Sequence, residues 1–336
     1  MFFISLSAIL MTAFADAPAP PVVGGQLAVE GSWPDAASIY FGNLAGDWQE
    51  PSVNCTGTLI GPNAVLTAAH CAGGITAVRV GAVDFSSGGG ELISVQEELV
   101  YPKWFKTYDV ALLILESESS ITPRVIAQDC IVDESLVDGA KTVVAGWGAN
   151  DPLGNRYDSL LREGSMDIID HDCSETERGC MVEVQAEQGE LAAAGEADAC
   201  FGDSGGPLYL ETPTGYYLTG VTSRGFDNSH GTPCGTGTIF IRPDALIGWI
   251  EGNLGYALER PVCDDTTDTG ATDTGSEETG VVDTGSTGTG LDTGETDTGS
   301  VDEEPGGCGC SVSSRANSSW SLVLAMLGFV GLRRRR

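Results

Sequence analysis

Between residues 22 and about 258 the chain alternates short apolar runs with clusters of Gly, Pro, Asn and Asp. Runs rich in Val, Ile, Thr and Leu fall at residues 53–60, 64–68, 77–80, 110–115, 142–145, 217–222 and 238–241. Each has strand length, and each is bounded by turn residues, so the pattern predicts strands. Gly61-Pro62-Asn63 sets a turn between the first two. No helical periodicity intervenes between these runs, which points to an all-β barrel or sandwich. One helix is predicted late: Asp244 is placed to cap a run through Ala245, Leu246, Ile247, Trp249 and Ile250 that ends near Gly252.

The pattern dissolves after residue 263. From Asp264 to Glu304 the chain is Asp, Thr, Gly, Ser and Glu with almost no large apolar side chains. Such a segment buries too little surface to offset the entropy of ordering, so residues 264–307 are predicted to be a disordered, self-repelling linker. Asp-Thr-Gly recurs there, at Asp268, Asp273, Asp283, Asp292 and Asp297. The flanks are polar and repetitive, so the match to an aspartic-protease tripeptide is compositional. The spacing of these acids fits neither an EF-hand nor a calcium repeat.

Both ends carry a different signature. Phe2 to Phe14 is apolar, too short to span a bilayer, and leads to an A-x-A site at Ala13-Phe14-Ala15. Residues 1–15 therefore read as a signal peptide and 16–21 as a short propeptide. Residues 308–336 join Cys308-Gly309-Cys310, an apolar run at 320–332 and four arginines, Arg333 to Arg336. The run is shorter than the roughly 20 residues of a stable span, and the arginines would hold that end in the cytoplasm. In its three-part order the tail resembles bacterial MYXO-CTERM surface-sorting tails. The resemblance implies a short tail helix with membrane contact through residues 320–332, a sorting protease and display at the cell surface.

Charge and cysteine content narrow the partners. A net charge of −32 repels phosphate backbones, which argues against nucleic-acid binding. Ten cysteines without a CxxC pair suit disulfides in an oxidising compartment better than a zinc ribbon or redox motif. No metal or other cofactor is called for.

The candidate chemistry lies in three segments. Gly202-Asp203-Ser204-Gly205-Gly206-Pro207 surrounds a serine with glycines, which let backbone amides of Gly202 and Ser204 converge on an oxyanion. A serine hydroxyl needs a base. Of three histidines, His171 and His230 sit among polar loop residues, whereas His70 ends an apolar run beside Cys71. Asp109 enters the apolar run Val110-Ala111-Leu112-Leu113, where a carboxylate needs a partner; His70 is the natural one.

With these segments in the order His, Asp, Ser, residues 22 to about 258 resemble the chymotrypsin/trypsin family of serine endopeptidases. Val22-Val23-Gly24-Gly25, Gly146-Trp147-Gly148 and Ser223 add to the match. The resemblance implies two perpendicular six-stranded β-barrels, spanning residues 22–263, with a C-terminal helix and the triad His70, Asp109 and Ser204 between them. It implies that Asp198, six positions before Ser204, lies at the base of the primary specificity pocket, kept open by Gly225 and Gly237. An acid there would favour Arg or Lys before the scissile bond. Ser223 falls on the substrate-binding strand. The implied disulfides are Cys55–Cys71, Cys200–Cys234, Cys173–Cys180 and Cys130–Cys263, and implied activation pairs the amine released at Val22 with Asp203.

The match departs in three places. Pro21 precedes Val22, with no Lys or Arg for a tryptic activator, so activation by another protease or by exopeptidase trimming of Asp16 to Pro21 is expected. Arg224 stands where the family usually has Trp, and Phe201 where Gln is common. Activity should rise with pH as the histidine loses its proton, near pH ~6–7. The competing reading is a non-catalytic binding protein on the same fold; such proteins commonly lose a triad residue, and all three are retained here. An esterase without peptidase activity is a third.

Overall fold

The computed structural model describes residues 22–42, 55–175, 178–181, 189–226 and 231–263. The segments predicted as signal peptide, propeptide, acidic linker and sorting tail, and His230, lie outside these residues. Among the described residues no helix is long and apolar enough to cross a membrane.

Among the described residues, thirteen strands and two α-helices form the fold. Strands β2 (Ala36–Phe41), β3 (Thr56–Gly61), β4 (Ala64–Thr67), β5 (Ile75–Val80), β6 (Glu91–Val100) and β7 (Ala111–Leu115) close into one antiparallel barrel in the order β2-β3-β4-β7-β6-β5. Strands β8 (Lys141–Gly146), β9 (Arg162–Asp170), β10 (Glu190–Ala194), β11 (Pro207–Thr212), β12 (Gly215–Gly225) and β13 (Thr238–Ile241) run β9-β10-β13-β12-β11-β8. The β8–β9 pairing closes that second barrel, and the two-residue β1 (Gln26–Leu27) adds to its β9.

Within the described residues, every run predicted from the sequence falls on a strand, though the bounds do not coincide. The late helix differs from its prediction. Asp244 does not cap it but pairs with Arg242 at 2.6 Å and opens a 3-10 turn, Asp244–Leu246. α2 (Ile247–Leu254) then runs through Gly252 and stops at Gly255, whose φ of +75° is left-handed. The Gly255 N–H closes that end by donating to Glu251 O at 2.8 Å. A shorter helix, α1 (Cys130–Ser135), joins the barrels' sequences.

Three apolar clusters explain why the site sits where it does. Ile39, Leu59, Val65, Val78, Leu113 and Leu115 fill the first barrel. Val144, Met166, Ile168, Leu191, Leu208 and Phe240 fill the second. A third cluster draws Leu66 and Leu112 from the first barrel together with Leu218, Val221 and Ile241 from the second, and Ile250 of α2 covers it. Each such fully buried side chain contributes roughly 1.5–3 kcal/mol, so the seam between barrels is a core in its own right.

A polar cluster crosses the same seam. Arg124 Nη2 and Nε reach Asp35 at 2.5 and 3.1 Å, and the buried Tyr209 hydroxyl donates to Asp35 Oδ2 at 2.7 Å. The Trp33 ring stacks on Tyr209 at 4.3 Å, and Arg124 lies over Tyr209 at 4.9 Å. Asp35 is 1% exposed, so removing one partner strands a charge. We expect Arg124→Met to cost about 3–5 kcal/mol in chemical denaturation, and Asp35→Leu/Arg124→Met to recover most of it. A loss below about 1 kcal/mol for the single variant would mean the pair carries no weight.

Candidate active site

The strand ends at the seam place the chemistry-bearing residues. β4 ends at Thr67, and the chain turns through a 3-10 turn, Ala69–Cys71, that carries His70 outward. Cys71 of that turn is bonded to Cys55, just before β3, with Cα atoms 6.2 Å apart. The turn is thereby fixed to the first barrel's wall. Asp109 stands two residues before β7, which pairs with β4. It is 6% exposed.

Both oxygens of Asp109 are engaged. Oδ1 accepts from the His70 backbone N–H at 2.9 Å, and Oδ2 meets His70 Nδ1 at 2.7 Å. The Ser223 hydroxyl also donates to Oδ2, at 2.8 Å. Burial pushes the Asp109 carboxyl upward, but the bonds and charge from His70 and the Ser223 bond outweigh it and hold it below the ordinary carboxylate range. A carboxylate that stays ionised there keeps the Nδ1 proton on its own side of the ring. Nε2 is thus left as the acceptor.

Ser204 comes from the second barrel, on the turn that precedes β11. Its carbonyl accepts from Thr56 N at 2.9 Å, and Thr56 Oγ1 donates to Gly202 O at 2.9 Å. The neighbouring Gly205 N donates to Thr222 O at 2.8 Å. The turn is thus sewn to both barrels. Gly205 has a φ of +80°, and a Cβ there would lie 2.1 Å from Thr67 Oγ1. Only glycine allows that approach. Neither the Gly202 nor the Ser204 amide donates a hydrogen bond to a described residue.

His70, Gly202 and Ser204 line one open cleft of about 510 Å³, with Phe41, the Cys55–Cys71 bridge, Tyr157 and Phe201. Phe201 is 55% exposed and packs over Gly154. Tyr157 and Phe41 carried no signal in the sequence; only the fold brings them here. Cys55 and Cys71 sulfurs and a His70 nitrogen lie within 4.8 Å, but the sulfurs are bonded to each other and hold no metal.

The remaining predicted residues sit outside that lining. Asp198 is 3% exposed. Its Oδ2 accepts from Gly235, Thr236 and Gly237 amides at 2.6, 3.1 and 3.2 Å, and Oδ1 from Thr238 Oγ1 at 2.6 Å. Gly237 has a φ of +120°, and the Phe226 ring lies 2.2 Å from where its Cβ would be. A Cβ on Gly225 would meet only backbone oxygens at 3.5 Å or beyond. Ser223 turns its hydroxyl to Asp109. Cys200–Cys234, Cys173–Cys180 and Cys130–Cys263 are joined. His171 is half-buried and faces Asp138 at 2.8 Å.

Val22 is fully buried at a φ of +40°, and Val23 bridges to Asp198. Asp203 is buried too, and accepts from Gly148 N at 2.7 Å and Cys200 N at 2.9 Å. Burial raises its carboxyl to about 7 against those two bonds, with help from the Asp198 charge.

The arrangement is similar to known proteins in both sequence and fold. Chymotrypsin-like elastase family member 1 of Rattus norvegicus is 30% identical over 250 residues, covering 70% of this chain and 90% of the relative. The Canis lupus familiaris protein of that name is 32% identical over 249 residues, covering 68% and 90%. The solved structure of neuropsin, a serine protease expressed in the limbic system of mouse brain, shares the fold with a TM-score of 0.56 at 24% identity. It covers 68% of this chain and 98% of that structure. The sequence profile of the trypsin family matches residues 22–250. The chain therefore belongs to the trypsin family and is a serine endopeptidase.

Proposed function

We propose that the protein is a secreted or surface-displayed endopeptidase that cleaves after Lys or Arg through an acyl-enzyme on Ser204. Ser204 Oγ attacks the peptide carbonyl, and His70 takes its proton and later delivers it to the leaving amine. Asp109 orients His70, and the amides of Gly202 and Ser204 hold the oxyanion. The observation that carries this reading is the doubly engaged Asp109 behind an imidazole that shares its cleft with Ser204. Gly225 and Gly237 flank the primary pocket and Ser223 braces the substrate strand. Activation frees an amine at Val22, which pairs with Asp203 after a separate protease or trimming has removed residues 16–21. The signal peptide at 1–15 and the sorting tail at 308–336 support export, membrane contact through 320–332 and processing by a sorting protease. Substrates are proteins or peptides, and the mechanism calls on no cofactor.

Basic specificity is supported by Asp198, a buried carboxylate held by amides and a hydroxyl rather than by a cation. A cationic side chain would supply the missing charge. A second reading, small apolar side chains at that position, is favoured by the same four bonds, which leave Asp198 little capacity, and by the elastase name of the relatives. Mapping cleavage of a peptide library by the mature protein decides between them. We expect cuts after Lys and Arg, reduced about 100-fold or more by Asp198→Ser. Cuts after Ala or Val that the substitution leaves unchanged would reject basic specificity. No reaction with a fluorophosphonate would reject the acyl-enzyme.

A further inference from the structure

Behind Ser223 lies an ion pair that the proposed mechanism does not use. Arg224 follows Ser223 on β12, and its guanidinium is occupied on every side. Nη1 donates to Glu190 Oε1 at 2.8 Å and Nη2 to Glu190 Oε2 at 3.0 Å. Nε and Nη2 both reach Gly179 O, at 3.3 and 2.6 Å. Nη1 also stands 3.4 Å from Ser223 Oγ. Glu190, on β10, is 1% exposed and takes a further bond from Met181 N at 2.8 Å. A planar fork with all its donors engaged internally has none left for a substrate, so Arg224 is not a subsite cation. Its one route toward chemistry is Ser223, whose hydroxyl donates to Asp109.

We propose that Arg224 is a positioning residue that acts on His70 through Ser223 and Asp109, with Glu190 holding the guanidinium in place. This rests on the reading of His70 as the base. At 3.4 Å the Ser223 contact is long, so the influence is chiefly electrostatic: a fixed positive charge one hydroxyl away from Asp109. It polarises the Ser223 hydroxyl toward Asp109 and draws off part of the negative charge that would otherwise stabilise an imidazolium.

Other charged or titratable groups surround His70, and none differs between the variants below. Asp109 comes from the segment before β7. Glu98 of β6 shares a smaller hollow with His70 and Trp104, and its carboxylate accepts from Gly73, Gly74 and Ile75 amides. Tyr157 lines the cleft with His70. Lys106, beyond Trp104, sits over the Phe105 ring at 5.9 Å.

The test reads the pH dependence of kcat/KM on a peptide cleaved by the wild-type protein, alongside the proton resonance shared by His70 Nδ1 and Asp109. Arg224→Gln is expected to move the acid limb up by about half to one pH unit, because a positive charge near the base is lost. Glu190→Gln, which keeps the guanidinium but removes its counter-charge, is expected to move the limb down. Arg224→Lys keeps the charge without the fork and should leave the limb within about 0.2 unit. The midpoint of the resonance should follow the limb in each case. If Arg224→Gln lowers kcat at every pH while limb and resonance stay fixed, the pair is a strut for the Gly179 segment and the proposal is overturned. If that variant does not fold, the downward shift in Glu190→Gln decides; its absence is equally fatal. A wild-type protein that fails to react with a fluorophosphonate sinks the catalytic reading instead, so the two failures are distinct.

Discussion

Replacing Ser204 by alanine is expected to lower kcat on a peptide substrate by about 10⁶-fold, with KM within about threefold of wild type. The turn that carries Ser204 is held by main-chain bonds, Thr56 N to Ser204 O and Gly205 N to Thr222 O. Alanine leaves both in place, so the variant should fold and bind as before. Only the nucleophile is removed. His70→Ala should cost a similar factor, and the double variant little more, because the two side chains act as one unit. Single-turnover kinetics with a chromogenic peptide would measure all three. Residual activity above about 1% in the Ser204 variant, confirmed free of contaminating protease, would mean that the reaction runs elsewhere in the chain.

The second large effect concerns stability. Asp203 is wholly buried with a carboxyl raised from 3.8 to about 7, so the fold prefers its protonated form. Between those values the folded chain binds more protons here than the unfolded chain. This contribution to stability is complete below about pH 4 and is lost as pH climbs to about 7. Carried through, the loss is roughly 4 kcal/mol. Asp109, whose carboxyl is held low, contributes in the opposite sense, but its window lies below pH 4 and does not overlap. For the chain still extended beyond Val22, denaturant melts should therefore show stability falling across pH 4–7. Asp203→Asn should abolish the slope. If the amine released at Val22 pairs with Asp203, as proposed, mature protein should lose it as well. A precursor whose stability is flat or rising over that range would show that Asp203 is ionised without a partner.

Residues that sit together along the chain were legible; residues brought together only by the barrels were not. The Ser204 turn, the His70 turn and the Asp109 segment each announce their chemistry within six residues or so, because glycine, disulfide and apolar strand are adjacent in sequence. β13 was readable to its ends, since Thr238–Ile241 is wholly buried, preceded by Gly237 and followed by Arg242-Pro243. β9 was hidden: its buried face carries Arg162, Gly164, Met166, Ile168 and Asp170, so charged and small residues mask the alternation. β10 was hidden for another reason, as three successive alanines favour helix until the barrel closes around them. The Arg224–Glu190 pair and the Asp35–Arg124–Tyr209 cluster join residues 34 to 174 positions apart, and no local pattern signals either. The four bonds on Asp198 likewise depend on where the 235–238 segment folds back.

Cys130 and Cys263 close a covalent ring whose ends are 133 positions apart. Helix α2 lies inside that ring, close to its end, while Cys130 begins α1 against the second barrel's core. A pull on the chain beyond residue 263 is thus handed through sulfur straight to α1. The helix covering the seam then shares the load with α1 and the second barrel's core, where without the bridge it would stand alone against a pull from the downstream end.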